Sequence, residues 1–196
     1  MTARARLSSA LEAARDWHSA LPQARVFCPW PDDLAWADLA PAEGPAAALL
    51  HSAPGDTETF AHPMLAALQA VAQDVEWRHT YTAAEVGQDF LDAFGWFELA
   101  GPSGHFTTHQ TRITVGYWGP GLRYGRHHHR AEELYTIVSG QAEFLADGAP
   151  GTVLRPGDTR LHTSNQPHAM NTHATPVLAL VLWRGDGLAD PPRMTP

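Results

Sequence analysis

Apolar positions along the chain change period near residue 95. Upstream, Leu7, Leu11, Ala14, Trp17 and Leu21 recur at helical spacing, and Met64, Leu68, Val71 and Val75 do the same. Each set lays an apolar stripe along one face of a helix, and Pro63 suits the first turn of the second. Thr82-Ala-Ala-Glu85 has the spacing of a capping box. It precedes Val86, Phe90 and Phe94, with Gly95 as the stop, and so predicts a third helix. Between the first two helices, residues 29–58 are rich in Pro, Ala, Gly and Asp and read as a long loop holding at most one short helix. From residue 96 onward, short runs rich in β-branched and aromatic residues take over. Trp96–Leu99, Thr111–Trp118, Leu134–Ser139, Ala142–Leu145, Val153–Arg155 and Val177–Trp183 read as strands. Gly119-Pro120-Gly121, Ser139-Gly140, Asp147-Gly148 and Pro156-Gly157-Asp158 punctuate them. Many short strands with regular turns predict a sandwich or barrel, not a parallel sheet.

Length and composition bound this picture. A chain of 196 residues suits one domain with an added helical segment, and 44% apolar content places it among globular proteins. It contains no run of about 18 apolar residues, so no helix is expected to span a membrane. The opening MTARARLSSALEAARDWHSAL has two early arginines but no apolar stretch, and it does not read as a secretory signal. A single cysteine, Cys28, permits no internal disulfide and excludes a cysteine-based metal site. Both features point to the cytoplasm. A net charge of −8, with no basic helix-turn-helix pattern, argues against nucleic acid as a partner.

Histidine is the residue whose distribution needs a reason. Six of the twelve, His127, His128, His129, His162, His168 and His173, fall within one stretch near the C-terminus. Three of these lie in GLRYGRHHHRAEELYTIVSG, Gly121 to Gly140. On an extended strand His127 and His129 present their imidazoles to one face, and Glu133 can return a carboxylate to the same point after a short connection. Two imidazoles and a carboxylate suit one divalent transition metal per chain, Fe, Zn, Mn, Co or Ni. The spacing G-x5-H-x-H-x3-E-x6-G, met by Gly121, His127, His129, Glu133 and Gly140, resembles the first cupin motif at every fixed position. The second cupin motif, G-x5-P-x-G-x2-H-x3-N, is not matched literally. The chain offers Pro156-Gly157-Asp158 and then Gln166-Pro167-His168-Ala169-Met170-Asn171, which makes His168 the expected fourth ligand and His162 the alternative. The resemblance implies an α+β, mainly β fold: a cupin double-stranded β-helix (jelly-roll) barrel over residues 96–190, with an N-terminal helical segment over residues 1–95, in a single domain. His128, between two ligands, should face the other way. Trp17, Trp30 and Trp36 read as core, and His18, His51, His62, His79, His105 and His109 as ordinary surface or core residues.

A narrower likeness covers residues 115–185. Tyr117-Trp118-Gly119-Pro120-Gly121-Leu122, Tyr124, the three histidines, Glu132-Glu133-Leu134-Tyr135, Ser164-Asn165-Gln166-Pro167-His168 and Leu182-Trp183-Arg184-Gly185 resemble the cupin-type dimethylsulfoniopropionate lyases of marine bacteria. That resemblance implies cleavage of a zwitterionic sulfonium to dimethyl sulfide and acrylate. It implies metal ligands at His129, Glu133 and His168 with His127 nearby as a fourth or alternate ligand, a catalytic tyrosine at Tyr135, and a second functional tyrosine at Tyr124. Residue chemistry is consistent with it. Glu133 and Tyr135 are two apart on one strand and so face the same side. A phenol with an ordinary pKa near ~10 is a poor base at neutral pH, and a nearby cation favours its phenolate. Trp183, Trp118 or Tyr124 could hold the sulfonium through cation–π contact. Two other functions share the ligand set: an Fe(II)-dependent cupin oxygenase and a non-catalytic small-molecule-binding cupin. Tyr135 on the ligand strand favours the lyase. The assembly is expected to be a monomer or homodimer.

Overall fold

The computed structural model describes residues 1–53 and 61–195. Residues 54–58 of the expected loop lie outside that range. The chain opens with helices α1 (Ala3–Ala20) and α2 (Pro22–Phe27), the two-residue strand β1 (Ala35–Trp36), and helices α3 (Pro45–Ser52), α4 (His62–Val71), α5 (Ala83–Val86) and α6 (Gln88–Ala93). Strands follow: β2 (Phe94–Gly101), β3 (Phe106–Thr107), β4 (Arg112–Trp118), β5 (Arg123–His128), β6 (Glu132–Gly140), β7 (Ala142–Ala146), β8 (Ala149–Leu154), β9 (Thr159–His162), β10 (His168–Asn171), β11 (Val177–Arg184) and β12 (Arg193–Met194).

Local chemistry accounts for most boundaries. Thr2 caps α1 by accepting from the Ala5 N–H at 3.2 Å. Proline occupies the first turn of α2, α3 and α4. The capping box at Thr82 is present, with Glu85 accepting from the Thr82 N–H at 2.8 Å. The helix it starts departs from expectation. It ends after one turn at Gly87, whose φ of 84° is costly for other residues, and Gly95 is not its stop. Phe94 is already extended because it pairs with Trp118 across β2 and β4. At Gly95 a Cβ would meet Ala46 and the Trp77 ring at 2.9 Å, so the glycine permits a close approach of helix and sheet.

The strands form two sheets. The larger has the order β1-β3-β2-β4-β11-β6-β9 and the smaller β12-β5-β10-β7-β8, antiparallel apart from β2 with β3. This is the jelly-roll cupin architecture with N-terminal helices. The larger sheet is covered on both faces, which is why its strands read as continuous apolar runs rather than alternating ones. Ile113, Val115, Leu134, Val138, Leu178, Leu180 and Leu182 point to the helices and share a core with Leu7, Trp17, Leu50 and Leu68. Residues of the opposite parity, Trp118, Tyr135, Ile137, Ala179 and Val181, face the smaller sheet and meet Tyr124, Phe144 and Met170. The second core holds the functional site. Among the described residues no helix is long and apolar enough to cross a membrane.

The helical segment therefore keeps its apolar stripe on the sheet, and Trp17 Nε1 donates to Thr136 Oγ1 of β6 at 2.9 Å. The strands form two packed sheets rather than the closed barrel expected, and these contacts support the proposal that residues 1–95 and the two sheets fold as one unit. Limited proteolysis is expected to release no stable fragment of residues 1–95, because cutting there uncovers the shared core. Recovery of such a fragment with helical circular dichroism would contradict it.

Candidate metal centre

The site is built where β5 and β10 of the smaller sheet face β6 of the larger. His127 and His168 are register partners across β5 and β10, so their rings meet with centroids 4.2 Å apart. His129 lies just past the end of β5 and Glu133 at the start of β6. One ligand atom from each of His129, Glu133 and His168 lies within 4.8 Å of the others, and all three side chains are buried.

Each imidazole is aimed by its own backbone. His127 Nδ1 is 2.9 Å from Gly125 O, His129 Nδ1 is 2.8 Å from Ala131 O, and His168 Nδ1 is 2.8 Å from Gln166 O. A carbonyl only accepts, so the proton sits on Nδ1 and the Nε2 lone pair faces inward. His129 Nε2 then meets Glu133 Oε2 at 3.1 Å, and His168 Nε2 meets the same oxygen at 3.3 Å without hydrogen-bond geometry, leaving that nitrogen unsatisfied. Lone pairs pointed at a carboxylate repel unless a cation lies between them. These residues therefore fit a divalent metal. Burial pulls His129 down, but the Glu133 carboxylate outweighs it and leaves its pKa raised. Burial likewise pushes Glu133 up, but His129 holds its carboxyl well below the usual range.

His127 stands beside this trio, stacked on Tyr124 at 4.0 Å, and burial followed by neighbouring His168 lowers its pKa to about 3. His162 is in register with Glu133 on β9 but lies outside the trio. Its ring stacks on His168 at 3.9 Å, and neither of its nitrogens has a hydrogen-bond partner among the described residues. His128 faces away, with Nδ1 3.0 Å from Thr195 Oγ1.

The profile of the dimethylsulfoniopropionate lyase family matches residues 23–179. The chain belongs to this family. It is 40% identical over 169 residues to dimethylsulfoniopropionate lyase DddQ of Ruegeria pomeroyi, covering 86% of this chain and 84% of that protein. A crystal structure from work on the DMSP lyases RdDddP and RnDddQII is similar over 100% of both chains, with a TM-score of 0.97 and 57% identity. The crystal structure of DMSP lyase DddQ from Ruegeria pomeroyi is similar over 97% of this chain and 96% of that one, with a TM-score of 0.92 and 38% identity.

In this lyase-family chain, one cavity brings together Trp118, Tyr124, His127, Glu133, Tyr135 and Trp183, six residues singled out from the sequence. Both tyrosines are buried and held as phenols. Burial lifts each pKa well above the ordinary value, and the Glu133 charge adds to the effect at both. Trp183 lies 4.4 Å from the His129 ring and also carries the Arg112 guanidinium at 5.5 Å, so a cation already occupies its surroundings. Trp118 has an open role: its Nε1–H is buried without a hydrogen-bond partner among the described residues.

Sequence reasoning missed Arg112, Thr80 and Tyr81. Arg112 lines the cavity, donates from Nε to Glu98 Oε2 at 2.9 Å, and lies over Trp96 at 4.9 Å. Thr80 Oγ1 accepts from Trp96 Nε1 at 2.9 Å, and the Tyr81 hydroxyl meets that of Tyr124 at 2.9 Å. No spacing signals these contacts, because each joins residues from different elements.

Proposed function

We propose that this protein is a metal-dependent lyase that cleaves dimethylsulfoniopropionate to dimethyl sulfide and acrylate by β-elimination. The observation that carries the reading is Tyr135 in one cavity with Glu133 and His127, beside a ligand trio suited to a cation, in a chain of this family. His129, Glu133 and His168 would hold the metal, with His127 as a fourth ligand. The metal, when bound, supplies positive charge that favours the substrate carboxylate and the negative charge developing beside it, and draws the neighbouring phenol toward phenolate.

The chain's own residues account for the remaining requirements. As the phenolate, Tyr135 takes the proton from the carbon next to the carboxylate on its Oη and becomes the neutral phenol. The electron pair released forms the new C=C bond, the C–S bond breaks, and its pair leaves on dimethyl sulfide. The sulfonium is already cationic, so it departs neutral without acid assistance. Trp118, Trp183 and the Tyr124 ring supply aromatic surface for that cation, worth ~0.5–2 kcal/mol per contact. The buried aromatic walls, Phe94 and Trp118 among them, keep water from the reacting carbon.

Purified, metal-loaded protein given dimethylsulfoniopropionate is expected to release dimethyl sulfide and acrylate in equal amounts, measured by headspace gas chromatography and acrylate chromatography. The rate should be the same in air and under anaerobic conditions. No dimethyl sulfide, or a rate that requires O₂, would remove this reading in favour of a binding protein or an oxygenase respectively.

A further inference from the structure

The helical segment contributes more to the site than a cover for the sheet. Its last stretch before α5 is tied to β2: Arg78 N–H donates to Trp96 O at 2.7 Å, and Trp96 N–H returns a bond to Arg78 O at 3.2 Å. That bridge fixes where the next residues go. Thr80 reaches the cavity wall, and Tyr81 passes behind it, with its hydroxyl 2.9 Å from Tyr124 Oη and the ring centroids 5.8 Å apart. Tyr124 lines the cavity and Tyr81 does not. Both are buried.

Two phenols carry two protons, and only one can lie between the oxygens. If Tyr124 donates to Tyr81, the Tyr81 proton is left in the core with no acceptor among the described residues. If Tyr81 donates to Tyr124, that proton is satisfied and the Tyr124 proton is free to point into the cavity. Leaving a buried donor unpaired is the costlier arrangement. The Tyr124 ring is meanwhile pinned by stacking on His127 and by Phe90 and Phe94, at 5.7 and 5.8 Å. Only its O–H torsion remains to be set.

We propose that Tyr81 is a positioning residue for the lyase reaction: by donating to Tyr124 it turns the Tyr124 O–H into the cavity as a hydrogen-bond donor to the substrate. This divides the tyrosines. Tyr135 takes the proton, and Tyr124 keeps its own and donates a hydrogen bond. It also gives residues 78–81 of the N-terminal segment a direct part in the site. The kinetic part rests on the lyase reading; the hydroxyl geometry does not.

The test uses zinc-loaded full-length protein labelled at tyrosine Cζ with an NMR-active carbon isotope. The chain has four tyrosines, so each signal is assigned by its own Phe variant. Tyr81→Phe removes one oxygen, and thermal denaturation checks that it folds. Its expected spectrum loses the Tyr81 signal and shifts that of Tyr124, leaving Tyr117 in place. In the dimethyl sulfide assay its kcat should fall about tenfold, the effect of one positioning hydrogen bond. In a Tyr124→Phe background, Tyr81→Phe should cost nothing more. An unmoved Tyr124 signal overturns the proposal, as does a fully additive double variant or wild-type kcat in Tyr81→Phe. If wild-type protein releases no dimethyl sulfide, the lyase reading fails, and the Tyr124 signal alone decides whether Tyr81 holds that hydroxyl. Should Tyr81→Phe not fold, the effect of Tyr124→Phe on the Tyr81 signal answers the same question.

Discussion

Tyr135→Phe is expected to lower dimethyl sulfide release by ~10²–10⁴-fold, the usual share of general acid–base catalysis. The substitution removes one oxygen and little volume. The ring's own packing, against Phe144 at 5.1 Å and Trp118 at 6.0 Å, uses no hydroxyl. Folding and metal content should therefore be near wild type, and elemental analysis with thermal denaturation would show it. The sign of the effect follows from the surroundings of the hydroxyl. Burial and Glu133 hold Tyr135 as a phenol in the metal-free protein. Stripping the metal should abolish turnover even where Tyr135 is intact, because no metal charge then favours the phenolate. Tyr124→Phe should also lose activity, through a lost hydrogen bond rather than a lost base. Wild-type turnover in Tyr135→Phe with a dead Tyr124→Phe would exchange the two roles and leave the elimination standing. Normal turnover in both would end the tyrosine mechanism.

Glu133→Ala and His129→Ala should each reduce bound metal from one per chain to a small fraction, with activity falling to background. Glu133 Oε2 is the atom both His129 and His168 approach, so its removal leaves two lone pairs with no anion to share the cation. A bound metal would stabilise the fold by mass action, by ~2.7 kcal/mol at about 100 times its dissociation constant. The proposed ligands come from β6, β10 and the turn after β5, so a bound metal would tie both sheets together. Adding metal should raise the wild-type melting temperature and leave those of the two variants unchanged. His162→Ala is the control. The ring stacks on His168 with neither nitrogen on the trio, so metal content should persist. Full occupancy in both ligand variants would refute the assignment, and metal loss in His162→Ala would move a ligand to β9.

The separate parts of the site were legible in the sequence because their geometry is local. A two-residue step along a strand puts Glu133 and Tyr135 on one side, and a short turn returns Glu133 to His129. Neither depends on the rest of the chain. The helices in the first half were legible for the same reason, through apolar spacing in α1 and α4 and the capping box at Thr82. The third helix was misjudged at its end. Local spacing carried it to Phe94, whereas pairing of Phe94 with Trp118, distant in sequence, made that residue a strand. The short strands β9, β10 and β12 left no pattern strong enough to read, because each is held by its neighbours rather than by its own alternation.

What the sequence by itself determined was the inventory: a helical half, a β half, and a stretch rich in histidine, glutamate and tyrosine between Gly121 and Gly140. Only the tertiary structure decided how those parts meet. His162 and His168 are both plausible ligands by composition, but β10 pairs with β5 and brings His168 to Glu133, while β9 pairs with β6 and leaves His162 behind His168. Tyr81 and Arg112 join the site through contacts spanning 43 residues to Tyr124 and 14 to Glu98. The physical reason is the same in each case. Periodicity reports which face of an element is apolar, whereas a site depends on which elements are neighbours, and that is set by packing two sheets and a helical layer around shared cores.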